Sequence, residues 1–184
     1  MAIKRYTIDG FGQVELNQVA FRRDGRIEAQ CALDATDFEN VPAENGMLLA
    51  VDNTNRTIKF AKDASLPIAL NYTTEHMYDD RKNGLKDFSL TLADGFCPRL
   101  GYLAVGDKFT TNCIAYDTAV FANDEALEEA YEGDTKIYGG ISDEGAILVS
   151  KTAPSEGPVL LAVKGTGAGS MPDGTFGIKF QVIG

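Results

Sequence analysis

GMLLAVDNTNRTIKFAKDASLPIALNY, residues 46–72, is the stretch whose reading decides the fold class. Residues 47–51 are an apolar run of strand length, and Asp52, Asn53, Thr54 and Asn55 make a tight polar turn. The chain then returns over 56–60 with strict alternation, Thr57 and Lys59 facing one way, Ile58 and Phe60 the other. Residues 61–65 break the pattern, and 67–72 form a third short strand, with Pro67 where a strand tolerates proline, at its first residue. Three strands of four to six residues separated by polar turns predict a β-rich piece, and nothing in them offers catalytic chemistry.

Outward from this unit the same grammar repeats. Residues 3–8 alternate as a strand, Asp9-Gly10-Phe11-Gly12 reads as a turn, and 13–21 as a second strand. Asp24-Gly25 supplies the positive φ of a tight hairpin, and 26–33 completes a predicted meander with one buried and one wet face. Residues 34–45 are polar and turn-like. The stretch 73–87, TTEHMYDDRKNGLKD, is dense in charge and long for a passive connection, which makes it an expected surface arm or interaction loop. A strand is expected near 88–92, then 100–105 and a returning strand 108–116 on which Phe109, Thr111, Cys113 and Ala115 share a face. One helix is predicted, 123–132: Asn123 is a good N-cap, Asp124 and Glu125 suit the positive end of the dipole, Ala126, Leu127, Ala130 and Tyr131 have helical spacing, and Gly133 closes it. Strands resume at 136–138, 146–150, 159–164 and 175–183, with a glycine-rich loop at 165–174. The order glycine, apolar strand, turn, returning strand, closing strand at 145–183 echoes 46–72. The expected fold is mainly β, small barrel or sandwich modules with one short α-helix, divided into an N-terminal β-rich region (1–92) and a C-terminal one (93–184) that carries the helix.

The 184 residues are enough to bury a sizeable core without staples. Lys plus Arg number 17 against 27 Asp plus Glu, a net charge of −10, so a phosphate backbone is repelled and nucleic acid is not an expected partner. No stretch approaches the roughly 20 apolar residues of a membrane helix. Cys31, Cys97 and Cys113 are odd in number and lack C-x-x-C spacing, which favours reduced thiols in a cytoplasmic setting.

His76 is the one histidine, and Glu75, Asp79 and Asp80 beside it lack the spacing of a zinc motif, so it reads as a solvated loop residue. The 165–174 loop is followed by a strand and has no Lys-Ser/Thr after its glycines, unlike a phosphate loop. No catalytic, cofactor or metal residue is assigned. Arg22, Arg23 and Arg26 cluster at one predicted hairpin tip, either as a plain exposed turn or as a contact for an acidic surface.

The segment ENGMLLAVDNTNRTIKFAKDASLPIALNY resembles the β-rich module of tailed-phage head-decoration (capsid cement) proteins. GYLAVGDKFTTNCIAYDT (101–118) and MPDGTFGIKFQVI (171–183) look similar to virion proteins encoded near the capsid gene. The resemblance implies a structural protein without enzymatic activity or cofactor, made in the host cytoplasm and bound to the capsid exterior. Its implied partners are the major capsid protein and further copies of itself, as a homotrimer. Candidate shell or subunit contacts are Lys4, Arg5, Arg22, Arg23, Arg26, His76, Met77, Tyr78 and Arg81. The length and the 73–87 arm depart from the smallest decoration proteins, and a tail or baseplate component or a small-molecule-binding β-barrel are the alternatives.

Overall fold

The computed structural model describes residues 2–15, 26–62, 64–73, 89–164, 169–171 and 174–184. In chain order its strands are β1 (Ile3–Arg5), β2 (Ile27–Glu28), β3 (Ala32–Leu33), β4 (Ala43–Glu44), β5 (Leu48–Asp52), β6 (Thr57–Phe60), β7 (Ile68–Asn71), β8 (Ser89–Leu90), β9 (Leu100–Tyr102), β10 (Lys108–Thr111) and β11 (Ile114–Asp117). Helix α1 (Asp124–Glu132) follows, then β12 (Tyr138–Gly140), β13 (Ile147–Ser150), β14 (Leu160–Ala162) and β15 (Ile178–Val182). The fold is mainly β with one short α-helix, its curled sheets forming a half-barrel. Among the described residues no helix is long and apolar enough to cross a membrane.

The quoted unit is the centre of one sheet. Strand β5 pairs antiparallel with β6 on one edge and with β7 on the other, in the order β2-β9-β7-β5-β6-β3. Its apolar run is explained by burial on both faces. Leu48 joins one apolar cluster, with Tyr72 and Phe109, while Met47, Leu49 and Val51 join a second, with Phe60 and Leu100. A strand covered on both sides reads as a continuous apolar run, and one half-covered, like β6, alternates. The β5–β6 turn is set by Asp52, whose Oδ1 accepts the backbone N–H of Thr54 (3.1 Å) and Asn55 (3.0 Å). Gly46 enters the strand at φ 89°, where a Cβ would stand 2.1 Å from Thr111 Oγ1. Only glycine fits there.

Strand β4 pairs with β8 as a separate two-stranded ribbon, and a second, seven-stranded sheet runs β1-β11-β13-β12-β14-β15-β10. Its two ends meet because only Asn112 and Cys113 separate β10 from β11, so the sheet curls round on itself. This corner corrects the expected single strand over 108–116. The Ile114 N–H donates back to Asn112 O (2.9 Å), the chain bends, and the alternation slips by one residue. Phe109 is therefore followed into the barrel-side cluster by Ile114 and Tyr116, while Cys113 and Ala115 face the other cluster. The slip lets β10 pair with β15 and β11 pair in parallel with β13.

The predicted N-terminal meander is corrected as well. The stretch read as one strand over 26–33 is two short pieces, β2 against β9 and β3 parallel to β6. Strand β1 pairs with β11, and Val14 bridges Thr111, so the chain from 3 to 15 lies along the outer edge of β10 and β11. Local turn signals say where a chain reverses; which edge it then joins is set by burial far away in sequence. The two larger sheets take strands from either side of the 92/93 boundary, β1 in one direction and β9 in the other. The echo between 46–72 and 145–183 holds only for the lead glycine, since Gly145 also has a positive φ of 82°. Strand β5 pairs with both of its followers, whereas β12 lies between β13 and β14.

Helix α1 forms as predicted. Asn123 Oδ1 accepts the Ala126 N–H (2.9 Å), the Gly133 N–H donates to Glu129 O (2.9 Å), and Leu127 and Tyr131 are buried. Its C-terminus gains a cap from across the fold: Lys164 Nζ donates to the carbonyls of Ala130 (2.9 Å), Tyr131 and Gly133 (2.9 Å).

Candidate functional site

Three of the nine candidate contact residues lie among the described residues, and each has a carboxylate of its own. Neighbours on β1 point to opposite faces, so Lys4 and Arg5 diverge. Lys4 Nζ lies 3.2 Å from Asp124 Oδ1 and 5.6 Å from the centre of the Tyr116 ring. Arg5 Nη2 lies 2.8 Å from Glu44 Oε2, which also accepts the Gly12 N–H (2.6 Å). Arg26 Nη2 lies 3.4 Å from Asp107 Oδ2, a buried carboxylate that holds the turn before β10 through the Ala104 N–H (2.8 Å). The three cations do not converge on one patch. Lys4 keeps 44% of its side chain exposed and is the most available of them. Arg22, Arg23, His76, Met77, Tyr78 and Arg81 lie outside the described residues, as does most of the 73–87 arm.

The buried charges have structural employment. Burial alone would raise the Asp124 carboxyl, but hydrogen bonds from Thr7, Tyr116 and Lys4 outweigh it and hold it below the usual range. Asp124 is also the first residue of α1, so one carboxylate ties the helix start to the N-terminal strand. Asp52 is lowered to about 2, first by the Asn55 side-chain and backbone N–H groups and then by Lys59. Burial pushes the Cys113 thiol up to about 12 and, with Glu28, the Cys31 thiol to about 11. All three cysteines are free. Among the described residues no three His, Cys, Asp or Glu side chains stand close enough together to hold a metal ion.

Among the described residues, the concavities lined by polar groups include two on different sheets. One, of about 390 Å³, lies over the end of β6, lined by Asp37, Lys59 and Lys62, where Lys62 Nζ is 2.7 Å from Asp37 Oδ1. The other, of about 410 Å³, lies at the mouth of the curled sheet, bordered by Tyr6, Asp9, Gln13, Asn112, Glu128 and Phe176. Tyr6 OH donates to Glu128 Oε1, and burial together with that carboxylate pushes the phenol up from its ordinary value. No local motif announces this second site. Its residues come from the N-terminal segment, the β10–β11 corner, α1 and the approach to β15, and only the fold assembles them. On the open surface Phe96 and Val105 are each 72% exposed, and Val105 lies beside Ile183 where Gly106 N–H donates to Val182 O (2.8 Å).

Comparison with protein-family models, with curated proteins and with solved structures finds no match to this chain.

Proposed function

We propose that the chain is a virion structural protein that binds the exterior of a tailed-phage head, as a decoration protein stabilising the shell. The observation that carries the reading is the use the fold makes of the segment that resembles such proteins. Strand β5 of that segment is scaffold buried on both faces, and nearby carboxylates pin loops. What is left for function is an acidic surface carrying a net −10 and isolated exposed apolar residues such as Phe96 and Val105. A protein of this kind stays soluble before assembly and gains binding strength from many copies on a symmetric lattice. An exterior position suits the charge, because packaged DNA would repel it.

The contact set is revised by the pairings. Lys4, Arg5 and Arg26 are each paired with a carboxylate, Lys4 keeping the most exposure, and Arg22 and Arg23, outside the described residues, stay with Lys4 as the basic candidates for an acidic shell. The partner is the major capsid protein, and the copies associate as trimers. The test is co-sedimentation of the purified chain with expanded shells that lack it. Saturable capture at a fixed number of copies per shell supports the reading, with Arg22→Glu/Arg23→Glu slowing the on-rate. Capture by tails or baseplates in place of shells transfers the chain to the tail reading, and no capture by either removes the virion role.

A further inference from the structure

The pocket at the mouth of the curled sheet is bordered by two largely buried residues whose carboxamides open into it, Gln13 and Asn112. Gln13 is 5% and Asn112 is 2% exposed. Asn112 Oδ1 accepts the Gln13 backbone N–H (2.7 Å), which fixes the two residues side by side. No hydrogen bond joins the Asn112 Nδ2 or the Gln13 carboxamide to another described residue, neither group is sealed from solvent, and both residues border the pocket, into which these amides open. An amide that opens into a pocket keeps its hydrogen-bonding capacity for whatever occupies that pocket. Water is one such occupant and a ligand is another.

We propose that this pocket binds a neutral sugar ring. Its volume of about 410 Å³ falls at the small end of ligand sites. A carboxamide donates and accepts at once, which matches a hydroxyl, and two adjacent carboxamides match a vicinal pair of hydroxyls. The Glu128 carboxylate receives Tyr6 OH on one oxygen and offers the other to a ligand hydroxyl. Phe176, half-buried beside Tyr6 at 5.1 Å between ring centres, supplies an apolar face for the C–H side of a ring. Among the described residues no Lys, Arg or His lines the pocket, while Asp9 and Glu128 do, so the described lining offers a phosphate or other anion no cation to pair with. An ammonium ligand would be best served by a buried free carboxylate. The buried groups here are neutral, Asp9 is exposed, and Glu128 is shared with Tyr6. The inference stands on the pocket alone and does not depend on the capsid reading.

The full chain, ¹⁵N-labelled, is titrated by NMR with glucose, galactose, mannose, rhamnose, N-acetylglucosamine and N-acetylgalactosamine, with inorganic phosphate and methylammonium in parallel. The expected result is a saturable shift with at least one sugar, centred on the side-chain amides of Gln13 and Asn112 and the backbone around Tyr6. Gln13→Ala, which keeps the backbone bond to Asn112, weakens that binding roughly tenfold, as loss of one to two hydrogen bonds does. Phe176→Leu serves as a second variant, with weaker binding expected from loss of the aromatic face. No saturable shift with any of the six sugars overturns the proposal, and so does saturation by phosphate or methylammonium in their place. Sugar affinity unchanged in a folded Gln13→Ala or Phe176→Leu chain also overturns it.

Discussion

Replacing Leu48 or Leu49 by alanine separates a strand buried on both faces from one with a wet side. Both leucines are fully buried, yet they are consecutive on β5 and enter different clusters, Leu48 beside Tyr72 and Phe109, Leu49 beside Met47 and Phe60. Each substitution removes roughly three methylene equivalents, about 2.4 kcal/mol at about 0.8 kcal/mol each. The cavity left behind adds to this, because packed neighbours relax only in part, for a total of about 3–4 kcal/mol per leucine. With a urea m-value of about 2 kcal/mol/M, either change lowers the unfolding midpoint by about 1.5–2 M. Far-UV circular dichroism follows the strands, and fluorescence from the seven tyrosines follows the packing, there being no tryptophan in the chain. Lys108→Ala, on the exposed side of β10, is the control and shifts the midpoint little. If one leucine costs the full amount and the other less than about 1 kcal/mol, β5 has a wet face and the account of its apolar run is wrong.

Other expectations follow from single contacts. Asn123→Ala removes the cap on α1 and costs about 1 kcal/mol, while Asn123→Asp keeps it; thermal melts of the two variants should differ accordingly. Asp52 is depressed to about 2, so its contribution is present above the ordinary carboxylate value near 4 and is lost as pH falls towards 2. The stability gap between wild type and Asp52→Asn should be constant at neutral pH and close over that window, and a gap that persists below it contradicts the assignment. In the native state at pH 8 the half-buried Cys97 should react with a thiol reagent well before Cys31 and Cys113, which burial both covers and keeps protonated; mass spectrometry of partly labelled protein reads the order.

How far these features were legible in the sequence depends on how local their causes are. Helix α1 was readable to the residue, since its cap, its first-turn acids and its apolar spacing all lie within ten positions. Strands β5 to β7 were readable for the same reason, with Asp52 announcing the turn and Pro67 the start of β7. The slip at Asn112 and Cys113 was not. A strand gains one extra residue there without any glycine or proline to mark it, and only the rival demands of β15 and β13 require the bend. The ion pairs were invisible too. Arg5 and Glu44 are 39 positions apart and Lys4 and Asp124 are 120 apart, so basic residues that read as free contacts were already spoken for. The carboxamide pocket belongs with these, because Gln13 and Asn112 meet across 99 positions.

The central claim, attachment to the outside of a phage head, is tested most directly by electron microscopy of expanded capsids incubated with the purified chain. The account predicts ordered density at symmetry-related sites on the outer surface, grouped in threes, into which the curled sheet and its single helix fit. Shells that remain bare, or added density confined to the tail, would contradict it.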